Sequence, residues 1–247
     1  MQLQVLATGA WAEAVAAELT RRLDPSGIRL CLATGATPVP VYALLAADAL
    51  AKSTVFLLDE FGGLPPGHPG RCETMLRSGL LDRVPPRKFH APSIDAADLQ
   101  GECRRYRHLI DDGGLDLAVL GLGLNGHLGL NEPGSGADQP TRVVELTRET
   151  QEGARRYGAD PPPTWGLAVG MAEILAAREV WLLVTGPAKS KILASVVSGP
   201  VTDDVPASLL RGHPNAIVWA DDQAAALVTT PPSGSSEGQP SGRVLHE

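Results

Sequence analysis

Short, continuous apolar runs alternate along the chain with longer stretches in which apolar residues recur every three or four positions, from the first residues to about residue 222. The runs at 3–7, 28–33, 54–58, 115–121, 180–185 and 216–219 predict strands, and their lack of polar alternation marks most of them as covered on both faces. Between the first two, residues 11–23 set Trp11, Val15 and Leu19 on one stripe and Glu13, Arg21 and Arg22 elsewhere, the spacing of a helix lying on a sheet. Residues 99–110 repeat the pattern with more charge. The expected class is α/β: an open, mostly parallel sheet with helices on both faces, Rossmann-like in plan. Residues 62–70 hold four glycines and three prolines and should form an exposed loop. Near the C-terminus the composition shifts to proline, serine, glycine and glutamine, too apolar-poor to repay the entropy of ordering. One domain over residues 1–228 and a flexible tail over 229–247 are expected, and no repeat period of a solenoid or propeller is visible.

Composition narrows the partners. The 247 residues carry 21 basic and 28 acidic side chains, a formal net charge of -7 that leaves no broad cationic surface for nucleic acid or an anionic membrane. No apolar run approaches the roughly 20 residues of a spanning helix, and the first eight residues carry no basic n-region, so membrane insertion and secretion are not expected. Three cysteines, Cys31, Cys72 and Cys103, follow no CxxC spacing. Neither a disulfide framework nor a zinc site is expected, and a reducing cytoplasm fits.

In open α/β sheets, ligands bind beyond the carboxyl ends of the strands, and three polar clusters stand at such ends. Thr34, Gly35, Ala36 and Thr37 precede Pro38 and a helical run, a turn suited to aim backbone N–H groups at an anion, or simply a strand-to-helix turn capped by Thr37. Asp59 and Glu60 follow residues 54–58, and burial of Asp59 would raise its pKa toward that of a general base; a metal ligand or a helix cap is the alternative. The third cluster, residues 121–133, has four glycines that allow close backbone approach to a ligand, together with Asn125, His127 and Glu132. These supply an amide, an imidazole titrating near neutrality and a carboxylate able to orient it.

At these clusters the chain resembles the glucosamine-6-phosphate deaminase family, within the group that includes 6-phosphogluconolactonases. The similarity covers about residues 1–228 and rests on residues 33–38, on Asp59-Glu60-Phe61 with His68-Pro69, and above all on Asn125-Gly126-His127 with Asn131-Glu132-Pro133. The resemblance implies a catalytic domain that converts glucosamine 6-phosphate and water to fructose 6-phosphate and ammonia. It makes Asp59 the base at C2 and His127 the proton carrier of ring opening, with Asn125 and Glu132 assisting. Thr34, Gly35, Ala36, Thr37, Glu60, Arg156 and Lys189 become substrate-binding groups, the last two as cations for the 6-phosphate. As isolated charges, Arg156 and Lys189 read equally as solvated helix ends. No metal or organic cofactor is needed for this chemistry. The partner is a small sugar phosphate, and both monomers and homo-oligomers fit the family.

Departures from the family pattern concern the pocket: Ala33 and Ala36 stand for a usual proline and glycine, and Arg71-Cys72 for a serine-tyrosine pair. These keep alternatives open, namely a deaminase or isomerase of another hexosamine phosphate, a 6-phosphogluconolactonase, or a non-catalytic sugar-phosphate sensor. Regulated members bind N-acetylglucosamine 6-phosphate with basic and hydroxyl residues just after the third cluster; here Arg142 is kept but Val144 and Glu145 follow, which predicts no such activation.

Overall fold

Among the described residues, ten strands form in chain order: β1 (Gln2–Leu6), β2 (Arg29–Leu32), β3 (Thr54–Leu57), β4 (Asp59–Phe61), β5 (Lys88–His90), β6 (Leu117–Gly121), β7 (Arg142–Glu145), β8 (Trp165–Ala168), β9 (Glu179–Val184) and β10 (Ala216–Asp221). The computed structural model describes residues 1–23 and 26–228, so the tail expected over 229–247 lies outside the described residues. Seven strands make one sheet in the order β1-β10-β9-β6-β2-β3-β5, with every neighbouring pair parallel. All six apolar runs are in it. The seventh member, β5, is a three-residue edge strand, too short and too exposed to show in the hydrophobic pattern.

The helices are α1 (Trp11–Arg22), α2 (Val39–Ala43), α3 (Cys72–Leu76), α4 (Leu99–Asp111), α5 (Arg148–Arg155), α6 (Met171–Leu175) and α7 (Ser190–Ser198). Side chains alternate across each strand, so Leu30, Leu32, Val55, Leu57, Val119 and Leu183 join one core with Val15 and Leu19 of α1, Tyr42 of α2 and Leu76 of α3. Cys31, Phe56, Ala118, Leu120, Leu182 and Val218 face the other way and pack with Tyr106 of α4, Ile174 of α6 and Leu193 of α7. Continuous apolar strands are thus the consequence of two separate cores, one on each face.

A second, antiparallel sheet in the order β4-β8-β7 was not legible in the sequence. The chain leaves the large sheet at Leu58 and immediately begins β4, where Asp59 pairs with Ala168 and Glu60 with Leu167. The two carboxylates therefore lie on a strand and not in the loop, which runs from residue 62 to 70 as expected. In the large sheet, chain connections run from β2 toward β3 and β5 on one side, while β6, β9 and β10 lie on the other. This reversal of strand order, between β2 and β6, is where α/β sheets open a crevice; the first and third polar clusters leave the strands that flank it, and the second leaves β3 next to β2.

Candidate active site

The turn after β2 is shaped by Gly35, whose φ of +91° is open to glycine at little cost. Ala36 carries no such demand, since no non-glycine residue among those described has a positive φ, so the alanine leaves its N–H in place. Pro38, not Thr37, is the N-cap of α2, and no side chain caps that end. The unpaired N–H groups there remain for an anion. A cavity of about 220 Å³ opens beside this turn, lined by Thr34, Gly35, Ala36, Met75, Gly79 and Tyr157 among others. Asp59 and His127 do not line it; the turn connects to Asp59 through Cys72, whose thiol interacts with both Thr34 and Asp59.

Asp59 is 6% exposed. Burial pushes its carboxyl up to about 6, a hydrogen bond from the Cys72 thiol and the nearby His127 pull it down, and the charge of Glu60 adds to the rise. The thiol itself is pushed far above its usual range by burial and by Asp59, which keeps it a neutral donor. Gly129 of the third cluster closes over the carboxylate. It has φ +58°, and a Cβ there would fall 2.6 Å from Asp59 Oδ2. A glycine at this position is what lets the loop after β6 approach the carboxylate at the end of β3.

That loop folds as two consecutive tight turns, with Gly126 N–H donating to Gly123 C=O at 3.2 Å and Asn131 N–H to Leu128 C=O at 2.9 Å. Within it, Asn125 Oδ1 accepts from His127 N–H at 3.1 Å while Asn125 Nδ2 donates to Glu132 Oε2 at 3.0 Å. Glu132 Oε2 lies 3.5 Å from His127 Nδ1. Burial acts to raise the Glu132 pKa, but hydrogen bonds from His127, Thr150 and Asn125 outweigh it and hold the carboxyl below its usual range. Glu132 is therefore an anion beside a half-buried imidazole. The N-cap and a first-turn residue of α5 join them: Thr147 Oγ1 donates to Glu132 Oε2 at 3.2 Å, and Thr150 Oγ1 lies 3.3 Å from His127 Nδ1. Reading the sequence missed both threonines. Thr147 was detectable as an N-cap before a polar helix, but its contact with a carboxylate 15 residues earlier was not.

Of the two expected cations, Lys189 reaches the third cluster. Lys189 Nζ donates to Leu122 C=O at 2.6 Å, at the start of the same loop. Burial lowers the Lys189 pKa and the neighbouring Arg156 charge lowers it further, against an upward pull from Glu149. Arg156, the C-cap of α5, is exposed and forms no ion pair among the described residues.

Glu60 is the correction. Listing it as a substrate contact conflicts with its place in the fold: it is 0% exposed, and both carboxylate oxygens are taken. Oε1 accepts from Phe61 N–H at 2.9 Å and Cys72 N–H at 2.8 Å; Oε2 accepts from Glu73 N–H at 2.9 Å, with Arg71 Nε at 3.5 Å. It caps α3 and ties down the 62–70 loop, with Arg71 reaching on to Asp95 at 3.2 Å. Glu60→Gln puts an amide NH₂ against N–H donors and is expected to destabilise the fold by about 2 kcal/mol, a Tm loss of roughly 4–8 °C, with KM unchanged. A raised KM at unaltered Tm would return Glu60 to the substrate. Among the described residues, no group of three or more histidine, cysteine or acidic side chains is placed to hold a metal ion, and no helix is long and apolar enough to cross a membrane.

The fold is α/β, with a desolvated carboxylate and a carboxylate-oriented imidazole close together at its strand ends and the 34–37 turn linked to that carboxylate through Cys72. The chain belongs to the family of glucosamine-6-phosphate isomerases and 6-phosphogluconolactonases, whose model matches residues 4–219. It is 38% identical over 214 residues to a glucosamine-6-phosphate deaminase of Lactobacillus delbrueckii subsp. bulgaricus, covering 85% of this chain and 92% of that one. It is 40% identical over 209 residues to glucosamine-6-phosphate deaminase 2 of Bacillus subtilis, covering 79% and 84%. Among solved structures, a monomeric glucosamine-6-phosphate deaminase superposes with a TM-score of 0.85 at 30% identity, over 92% of this chain and 100% of the other. The 6-phosphogluconolactonase of Thermotoga maritima superposes at 0.72 with 20% identity, over 89% and 99%, and shares the fold.

Proposed function

We infer that the protein is a glucosamine-6-phosphate deaminase, converting glucosamine 6-phosphate and water to fructose 6-phosphate and ammonia. The observation that carries this reading is the buried Asp59 carboxylate, proton-hungry near neutral pH, packed under the loop that holds His127, Asn125 and Glu132. In this reading His127 takes the O1 proton and delivers one to O5, opening the sugar ring, while anionic Glu132 stabilises the transient imidazolium. Asp59 then removes the C2 proton to give an enolamine, protonation at C1 gives a ketimine, and water releases ammonia. The 6-phosphate lies on the 34–37 turn with Lys189 and Arg156 as counter-charges, which orients C2 toward Asp59. A lactonase needs an activated water and no base at C2, so a buried carboxylate of raised pKa favours the deaminase.

All the proposed groups come from one chain, and a homo-oligomer is not needed to assemble them. The three free, buried cysteines fit a cytoplasmic enzyme. Ammonia release is expected at least tenfold faster from glucosamine 6-phosphate than from its galacto epimer. Equal or faster turnover of the epimer would reassign the substrate, and hydrolysis of 6-phosphogluconolactone without ammonia release from either sugar would replace the reaction.

Regulation follows from the same sheet. Arg142 is already held by Asn131 Oδ1 at 2.8 Å and Ser135 Oγ at 2.7 Å, Val144 is buried, and Glu145 adds a negative charge. Rate curves are expected to be hyperbolic and indifferent to N-acetylglucosamine 6-phosphate. A sigmoidal curve that this ligand makes hyperbolic would contradict that expectation.

A further inference from the structure

We propose that Thr150 is a positioning residue for His127: through an ordered pair of hydroxyls with Thr147, it fixes the imidazole proton on Nδ1 and leaves Nε2 bare for the substrate. An ionised carboxylate only accepts, so in the 3.2 Å contact with Glu132 the single proton of Thr147 points at Oε2. Thr147 Oγ1 has then no proton for Thr150, 3.3 Å away, and accepts from it as it accepts from Thr150 N–H at 3.3 Å. The hydroxyl proton of Thr150 is thereby directed inward, toward Thr147 and the Glu132 charge. What Thr150 Oγ1 offers His127, at 3.3 Å, is a lone pair. The imidazole must supply the proton, which makes it the Nδ1–H tautomer.

This arrangement adds something Glu132 does not provide alone. Glu132 Oε2 is 3.5 Å from Nδ1 and also accepts from Asn125 and Thr147, so its contact with the ring is shared and the longer of the two. Thr150 supplies the shorter contact and relays the same negative charge. Thr150 is buried, on the first turn of α5, and Tyr157, just past that helix's C-cap, lines the cavity beside the 34–37 turn. One short helix therefore sets the imidazole at its start and leads to the cavity of the anion turn past its end.

The inference rests on the reading of His127 as the proton carrier of ring opening, and the test separates the two. In the full-length protein without ligand, ¹⁵N NMR of the His127 ring is expected to show the Nδ1–H tautomer in wild type, a mixture in Thr150→Val, and the wild-type pattern in Thr150→Ser. In steady state, Thr150→Val is expected to lower kcat on glucosamine 6-phosphate roughly tenfold at unchanged KM, with Thr150→Ser restoring it. A wild-type ring protonated on Nε2 would overturn the proposal, as would Thr150→Val with wild-type tautomer and kcat. Equal impairment of the serine and valine variants would also overturn it, because the role would then be packing. Because the NMR arm needs no substrate, failure of the deaminase reading would appear in the assay alone.

Discussion

Asp59→Asn is expected to lower ammonia release from glucosamine 6-phosphate by about a thousandfold or more, while binding of a phosphate-bearing ligand stays nearly intact. The amide preserves shape and cannot take the C2 proton. The same substitution should stabilise the fold, and the sign follows from linkage. Burial raises the Asp59 carboxyl from an ordinary 3.8 to about 6, so the folded protein binds that proton more tightly than the unfolded chain does. The stabilisation linked to that proton is complete below pH 4 and is lost as pH rises through 6, a cost of about 3 kcal/mol at neutrality. Asparagine escapes it. Thermal melts should show the variant about 5–10 °C above wild type at pH 8 and level with it at pH 4. A Tm difference independent of pH would remove the buried-charge argument, and wild-type activity would remove the base.

His127→Gln should slow turnover of ring-closed glucosamine 6-phosphate about a hundredfold, because glutamine retains hydrogen-bonding groups but does not exchange a proton near neutral pH. A 5-deoxy analogue, unable to close the pyranose ring, bypasses that step and should be turned over by variant and wild type at comparable rates. Equal slowing of both substrates would take the ring-opening role from His127 and make the residue a general support of the site.

The contrast between Asp59 and Glu60 marks how far the sequence could be read. Both were visible as carboxylates after an apolar run, and the family resemblance added Glu60 to the substrate contacts beside Asp59. Adjacent on β4, the two have different partners: Asp59 meets Gly129 and the Cys72 thiol, while Glu60 is taken up by the backbone N–H groups at the start of α3. The strand was hidden because its pairing with β8 spans more than a hundred residues and its own three residues carry no alternating pattern. Strands β2, β3, β6 and β9 were legible because their apolar runs are buried on both faces, whereas β5 and β7 are short and partly exposed; β8 is as short and as buried as β2 and β3 but pairs only outside the large sheet. Asn125, His127 and Glu132 could be grouped because seven residues of glycine-rich turn bring them together. Thr147, Thr150 and Cys72 reach the same groups through tertiary packing of α5 and α3, which leaves no local signature.

The departures at Arg71 and Cys72 now have physical content. Arg71 is buried between Glu60 and Asp95, where it helps tie down the 62–70 loop, and Cys72 places a neutral thiol donor against the carboxylate of Asp59. Both changes therefore bear on the base and its supports.

The central claim is that a base, a proton carrier and an anion turn from three neighbouring strand ends act on one six-carbon ligand. The most direct measurement is a crystal structure with 2-amino-2-deoxyglucitol 6-phosphate, the reduced open-chain form of the substrate. It should place C2 within about 3.5 Å of the Asp59 carboxylate, the C5 hydroxyl in hydrogen-bond reach of His127 Nε2, and the phosphate on the N–H groups of residues 34–37. A ligand whose phosphate sits elsewhere, or whose C2 lies beyond reach of Asp59 while its C5 hydroxyl misses His127, would contradict the claim.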